Sequence, residues 1–162
     1  MAVTERRKAP KPKGRGKGLE ADCEAMLEVS GVCWFRNEPK MNGRFKVKGG
    51  TPDYTAMAGG IGHLIECKEA HGPSIRLGCL TAPADDAAPP AGITPKQAEM
   101  LDGWERQGGR GWVLARLSGQ HGEVTALIPW RVWRGWLAAG LRSVPPLMLV
   151  AAGVKGWSDP GA

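Results

Sequence analysis

The chain has no stretch of about 18 consecutive apolar residues, which excludes a membrane-spanning helix of ordinary length. Its basic N-terminus lacks the apolar segment that a secretory leader needs, so a cytoplasmic protein is expected. Nor do the cysteines (Cys23, Cys33, Cys67 and Cys79) form a C-x-x-C pair. The nearest approach to a metal-ligand spacing, Cys67-x-x-x-His71, is too sparse for a zinc site, and reduced thiols are expected. There is no internal repeat. Acidic residues are scarce at one end: within residues 1–18 only Glu5 stands against Arg6, Arg7, Lys8, Lys11, Lys13, Arg15 and Lys17. Seven cations less one anion make +6, which is the net charge of the whole chain, so residues 19–162 sum to zero.

Charge separated in this way points to a polyanion. Residues 1–17 read as a flexible basic tail, kept extended by Pro10, Pro12, Gly14 and Gly16. A second basic stretch carries Arg36, Lys40, Arg44, Lys46 and Lys48 against Glu38. Both would grip phosphates, nucleic acid being the commonest ligand of such arms. A merely solubilising tail is the plain alternative.

The rest, at 42% hydrophobic content, suits one compact body over 18–142 with a C-terminal extension over 143–162. Leu19, Cys23, Met26 and Leu27 recur at helical spacing and Gly31 stops them. Residues 32–36 read as a strand, and 36–50 as a short stalk-like excursion. Residues 52–57 and 61–67 read as a hairpin turned at Gly59-Gly60. Residues 78–94 form a Pro/Ala-rich loop, after which Thr94 and Pro95 open a helix to about residue 107. Strands follow over 111–117 and 123–128, then a short helix carrying Trp130, Trp133 and Trp136 as core or dimer surface. Residues after 142 receive no assignment. The expected class is α/β, a mixed central sheet flanked by helices in the order αβββαβ.

The hairpin poses a chemical problem. Side chains at i and i+2 on a strand share a face, so Glu66 and Lys68 point together and Cys67 points away. Asp53 falls on the neighbouring strand near the same end. Two carboxylates at close range repel, and one takes up a proton unless a cation intervenes. Oxygen ligands without paired His or Cys suit Mg²⁺ or Mn²⁺. Lys68 beside such an ion could orient water and offset charge on a phosphate, an arrangement suited to phosphodiester hydrolysis. Glu-x-Lys alone is weak, as the second copy at Glu38-Pro39-Lys40 demonstrates. Only the copy at Glu66 has an apolar strand and an upstream Pro-Asp. A surface ion pair is the bland alternative.

Pro52-Asp53, twelve residues and then Glu66-Cys67-Lys68 resemble the PD-(D/E)xK nuclease superfamily, and within it the Holliday junction resolvases. G-K-G-L-E in the first helix, with Gly31-Val-Cys-Trp-Phe-Arg36, resembles the archaeal Hjc type. Asp53-Tyr54, E-C-K-E, P-K-Q-A-E-M-L, G-G-R-G-W-V-L-A and L-I-P-W resemble the bacterial RecU type, with Lys96 in place of a histidine and a shorter stalk. The resemblance implies a restriction-endonuclease-like core over 18–142 and a Mg²⁺-dependent endonuclease cutting four-way junctions in recombination or repair. It also implies a homodimer on branched DNA and, from the small size, a phage-borne relative in an infected host cell. Glu20, Asp53, Glu66 and the backbone carbonyl of Cys67 would hold metal, Lys68 would serve the attacking water, and Gln97 would touch substrate or support the site. Glu69 matches the pattern as a structural residue. Two rivals remain: another PD-(D/E)xK nuclease of phage repair or packaging, and a non-catalytic DNA-binding architectural protein. Elsewhere His63 reads as a core histidine, His71 as a loop residue near the site, Phe45 as a wedge on the excursion, and Trp34, Trp104 and Trp112 as core.

Overall fold

A computed structural model describes residues 17–37, 41–42, 45–46, 50–84, 87 and 90–154. Helix α1, Lys17–Val29, buries Leu19, Cys23 and Leu27 along one stripe at four-residue spacing. Gly31, at φ +64°, then turns the chain where a side chain would be strained. Strand β1 (Cys33–Arg36) is followed by a small hairpin of β2 (Met41–Asn42) and β3 (Phe45–Lys46). Strands β4 (Tyr54–Ala58) and β5 (Ile61–His71) form the expected hairpin, with positive φ at both Gly59 and Gly60. Next come β6 (Ile75–Arg76), helix α2 (Pro95–Arg106), β7 (Arg110–Gly119), β8 (Gly122–Pro129), α3 (Trp130–Ala138), β9 (Ser143–Val144) and α4 (Pro146–Ala152).

The main sheet has the order β1-β4-β5-β7-β8, antiparallel throughout except for the parallel pair β5–β7. Helix α2 is the crossover that makes this parallel pair possible. The fold is thus the expected mixed sheet flanked by helices. It buries a separate core on each face. Ile65, Trp112 and Leu114 pack with α1, whereas Leu64, Val113 and Ala115 pack with Leu101 of α2 and Trp130 and Trp133 of α3.

Three expectations change. Strand β5 does not stop at Cys67 but runs to His71, because β7 continues its parallel ladder through His71↔Ser118. His71 is therefore a strand-end residue. Trp130 and Trp133 are fully buried and cannot form a dimer surface, while Trp136 is half-buried against them. The unassigned residues after 142 form β9, paired with β6, and α4, and they contribute Val144 and Leu149 to the α2-side core. His63 lies in the core as expected, 2% exposed, with its Nδ1 accepting from Trp112 Nε1 at 2.9 Å. Trp112 is buried, and Trp34 and Trp104 are half-buried against the two cores.

Candidate active site

The β4–β5 ladder ends at Tyr54↔Ile65, so one step further sets Asp53 opposite Glu66. Strand alternation turns Tyr54, Ile65 and Cys67 toward α1 and leaves Asp53, Glu66 and Lys68 on the α2 side. The Cys67 amide, facing the β4 edge where that strand has run out, donates instead to Asp53 Oδ2 at 2.8 Å. A backbone group that would otherwise lack a partner thus anchors the first carboxylate.

Glu66 is the most constrained group here, being 2% exposed. Lys68 Nζ lies 2.6 Å from its Oε1. Its Oε2 is buried with no hydrogen-bond partner. Burial pushes the Glu66 carboxyl up to about 7, against the pull of Lys68 and with a further push from Asp53. Burial also raises Asp53, opposed by the Cys67 amide and Lys68. Two adjacent carboxyls that ionise reluctantly, one with an unpartnered oxygen, have the donor chemistry of a hard dication site.

Gln97 joins this group through the start of α2. Thr94 caps the helix: its Oγ1 accepts from the Gln97 amide at 3.2 Å, and Gln97 Oε1 accepts from the Thr94 amide at 3.0 Å. The same Oε1 accepts from Lys68 Nζ at 3.4 Å. A reciprocal capping box thereby ties the helix terminus to the lysine.

Glu20 lies on α1, in the opposite layer. It pairs with Arg36, and its charge contributes to the rise at Asp53. Arg36, expected to grip DNA, is held by Glu20 and by Glu24 at 3.5 Å, and lies 5.9 Å from the centre of the Tyr54 ring. Among the described residues, no three His, Cys, Asp or Glu side chains are gathered in a metal-ligating group. Two cations stand in their midst instead, Arg36 on Glu20 and Lys68 on Glu66. Glu69 and His71 share the Cys67 side of β5, away from Glu66, and Glu69 lies near Arg116. Arg6, Arg7, Lys8, Lys11, Lys13, Arg15, Lys40, Arg44 and Lys48 lie outside the described residues, while Lys17 opens α1 and Lys46 and Phe45 form β3. One residue in contact with the site's backbone escaped the sequence reading. Asn37 follows β1 and bonds the segment carrying Asp53; its only sequence signal is an Asn just past a strand end.

No protein-family model and no curated protein matches this chain. Among solved structures it is similar to Hjc of Archaeoglobus fulgidus, a Holliday junction resolvase from an archaeal hyperthermophile. The two are 17% identical with a TM-score of 0.49, over 84% of this chain and 93% of that one. The likeness is one of layout, so the chemistry rests on this chain's own side chains.

Proposed function

We propose that the protein is a metal-dependent DNA endonuclease that cuts branched DNA, with the four-way junction as its substrate. The observation that carries this reading is the Asp53–Glu66 pair on one sheet face, with Glu66 Oε2 buried and unpartnered and Lys68 against Oε1. Asp53, Glu66 and the Cys67 carbonyl would hold Mg²⁺ or Mn²⁺, and Glu20 would join them by exchanging Arg36 for the ion. When bound, the ion supplies Lewis-acid polarisation of a phosphoryl group and an acidified water.

The remaining work falls to the chain itself. Lys68 donates to the attacking oxygen and offsets charge on the phosphate. Gln97, fixed by its capping box, sets the position of the Lys68 ammonium. The basic tail and the cations of 36–48 would hold flanking phosphates. Cutting two strands symmetrically requires two sites, so a homodimer belongs to the reading. The downstream motifs support RecU-like kinship.

Incubation with a synthetic junction, a duplex and a flap, with and without Mg²⁺, tests this directly. Junction cutting that requires Mg²⁺ is expected. Equal cutting of all three substrates would indicate another nuclease of this superfamily, and binding without cutting an architectural protein. Removal of residues 1–16, with their six cations, should weaken binding and flatten its salt dependence, as counterion release requires. Unchanged affinity would leave the tail a solubilising role.

A further inference from the structure

Asp53 lies outside the regular sheet. Strand β4 begins only at Tyr54, and Asp53 occupies a bend preceded by Pro52, which has no N–H to give. The β1–β4 ladder ends at Arg36↔Tyr54, and β4–β5 ends at the same residue. The ladders of the named strands therefore stop one residue short of Asp53.

Asn37 supplies the missing restraint. Its backbone N–H donates to the Asp53 carbonyl at 2.8 Å, extending β1 pairing by one residue. Its Nδ2 donates to the Pro52 carbonyl at 2.8 Å. Its Oδ1 accepts from Thr55 Oγ1, in buried surroundings, at 3.0 Å. The Pro52 carbonyl belongs to the peptide plane before the Asp53 Cα, and the Asp53 carbonyl to the plane after it. Holding both planes sets φ and ψ at Asp53, and with them the direction of its Cα–Cβ bond. Thr55 in turn fixes the amide orientation that lets Nδ2 reach Pro52. Only a side chain with donor and acceptor on one short branch can do this. Aspartate lacks the donor and glutamine is a methylene longer.

We propose that Asn37 is a positioning residue that aims the Asp53 carboxylate by clamping the two peptide planes on either side of it. Its significance for catalysis rests on the nuclease reading above, but the clamp has a readout that needs neither metal nor substrate. The Cys67 amide donates to Asp53 Oδ2, so its hydrogen exchange reports whether Asp53 is held.

The test follows amide exchange by NMR in the metal-free full-length protein and its Asn37→Asp, Asn37→Ala and Thr55→Val variants. Exchange at Cys67 should accelerate by about tenfold or more in both Asn37 variants, while Ile65 and Val113 keep their rates. The Thr55 variant should shift Cys67 in the same direction by less. Unchanged Cys67 exchange in the Asn37 variants, or equal acceleration at all three amides, would overturn the clamp. Should Asn37→Ala not fold, the other two variants carry the test. A parallel Mn²⁺ titration should show binding about tenfold weaker in the Asn37 variants, the usual cost of removing a ligand's supporting partner. If the wild type binds no Mn²⁺ while Cys67 exchange responds, the clamp stands and the nuclease reading falls. If the wild type binds Mn²⁺ and cuts while Cys67 exchange ignores Asn37, the reading stands and the clamp falls.

Discussion

Strand β5 buries two polar residues three positions apart, His63 and Glu66, each 2% exposed. They face opposite layers and receive opposite treatment. On the α1 side, His63 accepts from Trp112 Nε1, and the two rings stack with centroids 6.0 Å apart. On the α2 side, Glu66 has a lysine at one oxygen and no well-formed hydrogen bond at the other, with the Gln97 side chain near enough to oppose the rise of its pKa. A buried polar group without a partner costs about 1–3 kcal/mol, so a fold retains one only where something else is gained. The satisfied residue serves the fold, and the unsatisfied one is where the proposed nuclease reading places the metal.

The largest expected effect separates the two by activity. Asp53→Asn and Glu66→Gln should each reduce junction cutting by about a thousandfold or more while leaving junction binding intact, as measured by gel cleavage and gel shift. Wild-type rates in either variant would erase the distinction. Trp112→Phe tests the other side. It leaves His63 Nδ1 without its indole donor, and a loss of about 1–3 kcal/mol in denaturant unfolding is expected, with cutting within about twofold of wild type.

The pH dependence of stability, measured without metal, should run in opposite directions for the two residues. Glu66 titrates near 7 when folded against an ordinary 4.5, so its contribution is complete below pH 4.5 and is lost as pH rises through 7. The loss is on the order of 3 kcal/mol, and Glu66→Gln should flatten it. His63 is held below its ordinary 6.5, chiefly by burial, so its contribution is present above pH 6.5 and lost on acidification. An urea-melt series from pH 5 to about 8 in the wild type and in Glu66→Gln would read both slopes. A parallel pair of curves would show that Glu66 is ionised already in the folded, metal-free protein.

Much of this was legible in residue spacing. Gly59-Gly60 between two apolar runs fixes a tight hairpin, and the hairpin dictates that residues 53 and 66 fall opposite one another. Strand alternation then assigns Glu66 and Lys68 to one face. Thr94-Pro95 with Gln97 wrote the capping box in advance. What remained hidden depended on partners distant in the chain. Strand β5 reaches His71 because β7, more than forty residues later, extends the ladder. Arg36 read as a phosphate grip, and only the fold shows Glu20 and Glu24 of α1 paired with it. Trp130 and Trp133 read equally well as surface or core, since periodicity names a face without saying what covers it.

The sequence by itself determined the local geometry: a turn that only glycine relaxes, a capped helix start, and two carboxylates and a lysine in register. Local rules suffice there, because each involves backbone dihedrals or neighbours within one hairpin. Only the tertiary structure decided which charges meet a partner. It paired Arg36 with Glu20, left Glu66 Oε2 without a hydrogen-bond partner, and set Asn37 against the carbonyls on both sides of Asp53. Hydrogen bonding and desolvation act between atoms that packing brings together, and chain order does not encode that distance.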